Sequence, residues 1–227
     1  MKVAVLFSGG KDSNYALFEA LKYFDVACLL TMKSLKEDSY MFQVPMIEHT
    51  KLQAECMNIK HELFITSGTK EEELVDLDSA IKCIKEKYGI DGIVSGAIKS
   101  VYQASRIEKI CKKHDLWCFN PLWQINEKEF LIKIINEGFK VLIVGIGAYP
   151  LDKKLVGKLI DHKMVDDLCE LNAKYGISIA GEGGEFETFV IDSPVFKRQI
   201  IVCDNFIIED SKNCARMIVN KIKTCSK

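Results

Sequence analysis

The sequence predicts an α/β protein built on a parallel sheet with helices on both faces, and three observations predict it. Residues 3–7 form a short continuous apolar run closed by Gly9 and Gly10, and Leu17, Leu21 and Phe24 follow at helical spacing. Strand-then-helix steps then recur through residues 26–31, 63–65 and 92–95. Hydrophobic residues make up 48% of the chain against only 14 Gly and 4 Pro, enough apolar material to cover a sheet on both sides and too little loop-former to leave the chain disordered. In such sheets ligands sit beyond the carboxyl ends of the strands.

Taken in order, the first strand passes through Ser8-Gly9-Gly10-Lys11-Asp12-Ser13 into a helix, and the second strand follows with little delay. The best-signalled helix lies between the third and fourth strands. Thr69 and Glu72 have capping-box spacing, Leu74, Leu77, Ile81, Ile84 and Tyr88 step by three and four, and Gly89 is the stop. After Asn120-Pro121 the rhythm changes to a helix over 127–136, a strand over 141–146, a long helical stretch over 155–175, a glycine-rich acidic segment GEGGEFET at 181–188, and β-rich runs at 189–191 and 199–202. Two domains are therefore expected, residues 1–121 and a smaller mixed α/β domain at 122–227, with the active site expected between them.

Composition excludes several classes. The 31 basic and 32 acidic residues cancel, so no global field holds nucleic acid by its phosphates, and direct nucleic-acid binding is not expected. Nine cysteines, never spaced CxxC, argue against zinc ribbons, iron-sulfur clusters and a disulfide framework, and read as reduced, mostly buried thiols. The four histidines lie too far apart in sequence for a metal set and read as ordinary or satisfied residues. The apolar start is too short for a signal-peptide core and no run is long enough to cross a bilayer, so a cytoplasmic protein with no membrane partner is expected.

The loop from Ser8 to Ser13 has the context of a phosphate site. Two glycines let backbone approach an anion, the helix start offers free N–H donors, and two serines add hydroxyls. A helix terminus contributes at most ~2 kcal/mol while micromolar nucleotide binding needs about 8, so Mg²⁺ and the cations Lys11, Lys99 and Arg106 must help. The same residues also suit a turn and cap before an ordinary helix.

SGGKDS after a first strand resembles the signature loop of PP-loop ATP pyrophosphatases, nucleotide α-hydrolase-like proteins that split ATP between its α and β phosphates. Three further stretches resemble one branch, the diphthine-ammonia ligases: Gly96-Ala97-Ile98-Lys99-Ser100 with Tyr102, Gln103 and Arg106; Asn120-Pro121-Leu122-Trp123; and GEGGEFET with Phe189 and Val190. The resemblance implies that ATP adenylates the carboxylate of diphthine, a modified histidine on translation elongation factor two, and that ammonium supplies the amide nitrogen. It implies nucleotide contacts from Ser8, Gly9, Gly10, Lys11, Asp12, Ser13, Gly96 and Lys99, catalytic roles for Arg106, Glu182 and Glu185, substrate contacts from Tyr102, Gln103, Trp123 and Glu187, and Mg²⁺ held by Asp12 and Glu182. An adenine pocket at residues 40–45 follows from family layout alone. Gln43 and Glu187 depart from the family pattern, so neither is assigned a catalytic role.

Each stretch has a plainer reading. Gln103 stands in capping-box spacing from Ser100, Arg106 suits a solvated helix face, and Trp117 and Trp123 suit a core. GEGGEFET suits a wet acidic turn, with Glu187 the exposed end of a strand. Two rivals remain open: a transfer-RNA-modifying enzyme of the same superfamily, weakened by the missing CxxC pair, and a module that senses ATP or AMP without chemistry.

Overall fold

The computed structural model describes residues 1–35, 46–69 and 71–227, which divide into two compact units, Met1–Trp123 and Gln124–Lys227. The expected adenine pocket at 40–45, with Gln43, lies outside the described residues.

The first unit runs β1 (Lys2–Leu6), α1 (Lys11–Ala20), β2 (Asp25–Ser34), α2 (Thr50–Met57), β3 (His61–Thr66), α3 (Glu72–Tyr88), β4 (Gly92–Val94), α4 (Val101–Lys113) and β5 (Trp117–Phe119). Its five strands are parallel in the order β3-β2-β1-β4-β5. Ala4, Cys28, Leu30, Met32 and Ile93 meet Leu77, Ile81 and Ile84 of α3 and Ile107, Ile110 and Cys111 of α4 in one cluster, so these two helices share a face of the sheet. Right-handed crossovers put α1 and α2 on the other face. The chain leaves β1 toward β2 and β3, then returns across the sheet to β4. The loops after β1 and β4 therefore emerge side by side at the switch point, where ligands bind in sheets of this kind.

Local chemistry decides the helix ends. Gly89 closes α3 in the left-handed region, φ 61°, as its spacing predicts. The start of α3 is not the expected capping box. Glu71 occupies the cap position with no side-chain cap bond, because Ser67 takes the polar groups instead, donating to Glu72 Oε2 at 2.7 Å and accepting from the Thr69 N–H at 3.2 Å. Trp117, expected in a core, is 67% exposed on β5, the edge strand, and Trp123 is 39% exposed. All nine cysteines are free, but only Cys28, Cys56 and Cys111 are buried, fewer than expected.

The second unit runs α5 (Glu127–Asn136), β6 (Lys140–Ile146), α6 (His162–Tyr175), β7 (Phe186–Asp192), β8 (Arg198–Ser211) and β9 (Cys214–Ser226). Its sheet is antiparallel, in the order β7-β6-β9-β8. The long helix expected over 155–175 is a correction: only its second part is helical. Gly157 at φ 87° breaks the coil, the Gly157 and Ile160 N–H groups bond the Ile143 and Val141 carbonyls, and Asp161 starts α6 by accepting from the Met164 N–H at 2.8 Å. The β-rich run at 199–202 is part of a much longer β8–β9 hairpin.

Candidate functional site

The Ser8–Ser13 loop is held from behind. Gly9 takes a left-handed φ of 82°, which the absence of a Cβ allows. Thr31 Oγ1 of β2 donates to the Phe7 carbonyl at 2.6 Å, and Gln53 Nε2 of α2 donates to the Gly9 carbonyl at 2.9 Å. The Gly10 carbonyl accepts from Ser13 Oγ at 3.1 Å and Asn14 Nδ2 at 3.0 Å. Thr31 and Gln53 are both 0% exposed. Within the loop the contacts are longer: Ser8 N–H to Ser13 Oγ at 3.3 Å, and Gly10 N–H to Ser8 Oγ at 3.4 Å.

Around that loop the structure brings together several of the expected residues. Lys11 is almost wholly buried and its Nζ lies 3.0 Å from Asp12 Oδ2, while the Asp12 side chain keeps 28% of its surface open. A Cβ on Gly96 would lie 2.8 Å from the Asp12 carbonyl carbon and 2.9 Å from the Ser13 nitrogen, so only glycine lets the β4 loop abut the first turn of α1. Lys99 is exposed on that same loop. Ser100 caps α4, accepting from the Gln103 N–H at 3.3 Å, which is the Ser100 half of the expected capping box. One turn on, the Arg106 guanidinium lies 3.4 Å from the centre of the Tyr102 ring, with one nitrogen 3.7 Å from Glu71. A separate 370 Å³ pocket, lined by Glu19, Tyr23, Phe24, Phe119, Asn120 and Pro121, opens near the far end of α1. At ~1.5 Å per residue Glu19 lies about 14 Å along the helix from Gly10, so this pocket is separate from the loop.

GEGGEFET is bound up in its own bonds. Glu185 Oε1 accepts from the Ser178 N–H and Oε2 from the Gly183 N–H, both at 2.8 Å. The carboxylate folds so closely over Gly183 that a Cβ there would sit 2.9 Å from it. Glu127, at the start of α5, accepts from Ser178 Oγ at 2.8 Å and from the Ala180 N–H at 3.0 Å, and Ser178 Oγ accepts from the Glu182 N–H at 3.0 Å. Glu187 sits on β7 opposite Gly145, with Oε2 buried and unbonded, and burial pushes its carboxyl up to about 7. Far from being the exposed end of a strand, it is a half-buried carboxyl with no counter-charge beside it among the described residues. Among the described residues no three His, Cys, Asp or Glu side chains form a metal-holding group.

Sequence reasoning missed Thr31, Gln53, Asn14, Glu127 and Ser178. Gln53 lies 44 residues from the carbonyl it bonds, and Glu127 lies 53 from Ala180, so no local spacing signals either one.

A glycine loop at the switch point of a parallel sheet, opening directly into a helix, is the arrangement of an α/β protein that offers an anion site at its strand ends. Comparison with known sequences narrows this. Residues 1–117 match the diphthamide synthase N-terminal domain and residues 126–223 the diphthamide synthase C-terminal domain, and the chain belongs to that family. It is 36% identical over 228 residues to the diphthine–ammonia ligase of Homo sapiens, covering 92% of this chain and 85% of that protein. The Danio rerio diphthine–ammonia ligase is 33% identical over 225 residues, covering 89% and 86%. The Schizosaccharomyces pombe one is 31% identical over 244 residues, covering all of this chain but 40% of that longer protein.

Proposed function

We propose that this chain is a diphthine–ammonia ligase, joining ammonium to the diphthine carboxylate of translation elongation factor two at the expense of ATP. A carboxylate oxygen of diphthine attacks the α phosphorus, and the bond to the β phosphate breaks, releasing pyrophosphate. Ammonia, formed by loss of a proton from ammonium, then attacks the acyl carbon, and AMP leaves with the former carboxylate oxygen. Positioning and charge stabilisation carry most of such a reaction.

The observation that carries the reading is the back-bonded glycine loop between Gly96 and the start of α1, in a chain of this family. Ser8, Gly9, Gly10 and Ser13 hold the departing pyrophosphate, with Lys11 and Lys99 offsetting its charge. Arg106, stiffened by its stack on Tyr102, meets charge developing on the phosphates. Mg²⁺ binds nucleotides through one or two carboxylates together with the phosphates, and Asp12, partly open beside the loop, fits that part, with Glu182 the second candidate. Glu185 serves by shaping its loop. Gln103, Trp123 and Glu187 are assigned to the protein substrate.

The test combines purified protein, ATP, Mg²⁺, an ammonium salt and elongation factor two bearing diphthine, with mass spectrometry on the modified histidine. Conversion of the acid to the amide, with AMP and pyrophosphate in equal amounts and a rate that rises as pH frees ammonia, is the expected result. ADP as product, or pyrophosphate release stimulated by transfer RNA and not by the factor, contradicts it.

A further inference from the structure

We propose that Thr31 and Gln53 are positioning residues for the nucleotide, fixing the peptide planes of the Ser8–Ser13 loop so that its N–H groups face the pyrophosphate. The inference rests on the reading that this loop grips pyrophosphate, and adds which buried side chains make it able to.

A peptide is planar and trans, so holding its carbonyl on one side directs the N–H of the next residue to the other. Thr31 holds the Phe7 carbonyl, Gln53 the Gly9 carbonyl, and Ser13 with Asn14 the Gly10 carbonyl. The N–H groups of Ser8, Gly10 and Lys11 are thereby turned away from the buried donors. The first two make contacts of 3.3 and 3.4 Å to hydroxyls within the loop, at the long limit of a hydrogen bond, which a phosphate oxygen replaces at little cost. The third opens α1, whose N-terminal turn directs its N–H groups outward along the helix axis.

Gly9 is where this arrangement is vulnerable. At a glycine the φ and ψ wells are nearly equal in energy, so the Gly9–Gly10 peptide can rotate cheaply and present its carbonyl, a repulsive dipole, to the anion. Gln53, fully buried and anchored on α2, opposes that rotation. Thr31 gives its proton to Phe7, so its oxygen accepts from His61 Nε2, 2.8 Å away. Burial holds the His61 imidazole below its ordinary pKa, and the Nε2 proton stays in place when the ring is neutral.

The experiment measures ATP and AMP binding to the full chain by calorimetry, for the wild type and for Thr31→Val, Thr31→Ser and Gln53→Met, each checked by thermal unfolding. Loss of either donor is expected to weaken ATP by about tenfold or more, the equivalent of one hydrogen bond, while AMP changes less than about twofold. Thr31→Ser, which keeps the hydroxyl, is expected to retain ATP affinity. Parallel losses for ATP and AMP, or no loss for either in Thr31→Val, overturn the proposal. A wild-type protein that binds ATP no better than AMP and shows no affinity for pyrophosphate overturns the loop reading itself, and this inference falls with it.

Discussion

Two glycine-rich loops carry the family resemblance, and they spend their polar groups in opposite ways. At the Ser8–Ser13 loop the Phe7, Gly9 and Gly10 carbonyls are satisfied by side chains from β2, α2 and α1, and the Ser8 and Gly10 N–H groups make only long contacts to hydroxyls of the loop. In the Gly181–Thr188 segment the Glu182 and Gly183 N–H groups are satisfied by Ser178 and Glu185, while just before it the Ser178 hydroxyl and the Ala180 N–H are held by Glu127 from α5. The first arrangement suits an anion that arrives from outside. The second is complete in itself, so carboxylates that read from sequence as a cation site are, for Glu185, the mortar of a turn. Glycine content alone does not separate the two cases; the partners of the backbone do.

The contrast can be broken most severely at Gly96. Gly96→Ala puts a methyl group under 3 Å from backbone that has no flexible end to yield, so the β4 loop and α1 must move apart. Pyrophosphate release is expected to fall by about a hundredfold, the scale of a displacement near 1 Å at a reacting centre. An unchanged rate would mean that the loop's neighbours do not set its geometry.

At the second loop the expected loss is of stability. Glu185→Ala leaves two backbone donors without their charged acceptor, and denaturant unfolding is expected to show a loss of about 3 kcal/mol. A catalytic or metal role alone would leave stability intact and abolish turnover, which inverts the assignment made here.

Glu187 gives a smaller, pH-dependent effect. Its folded carboxyl, near 7, holds a proton more tightly than the ordinary 4.5, so its stabilising contribution is complete below pH 4.5 and is lost as pH rises through 7. The wild type is expected to lose roughly 2 to 3 kcal/mol across that interval relative to Glu187→Gln, whose stability stays flat there. Parallel stability curves for the two proteins would show that the carboxyl has a charge partner.

The smallest change expected is in the stability of Arg106→Lys. Its pairing with a largely exposed Glu71 at 3.7 Å is worth under about 1 kcal/mol, so unfolding should barely move while pyrophosphate release drops with the loss of the flat cation stacked on Tyr102. A stability loss matching the activity loss would make Arg106 structural.

The parallel sheet, the glycine loop and the stop at Gly89 were legible because each is a local pattern: an apolar run, a pair of glycines, a helix followed by a residue that tolerates positive φ. Ser100 as a cap was legible for the same reason, lying within one turn of helix of its partner, and so was the i, i+4 spacing that puts Arg106 beside Tyr102, though not the stack of the one on the other. The helix over 155–175 was misread because its apolar spacing continues through Gly157, while the backbone there bonds to β6 instead. Gln53, Thr31 and Glu127 were invisible because a buried polar residue is placed by the fold, and its partner lies tens of residues away.

A structure of the protein with an ATP analogue that carries a methylene group between its α and β phosphorus atoms tests the account most directly. The β and γ phosphates are expected against the backbone nitrogens that begin α1, with the Phe7 and Gly9 carbonyls still turned to Thr31 and Gln53. A triphosphate lodged at any other place on the chain would contradict it.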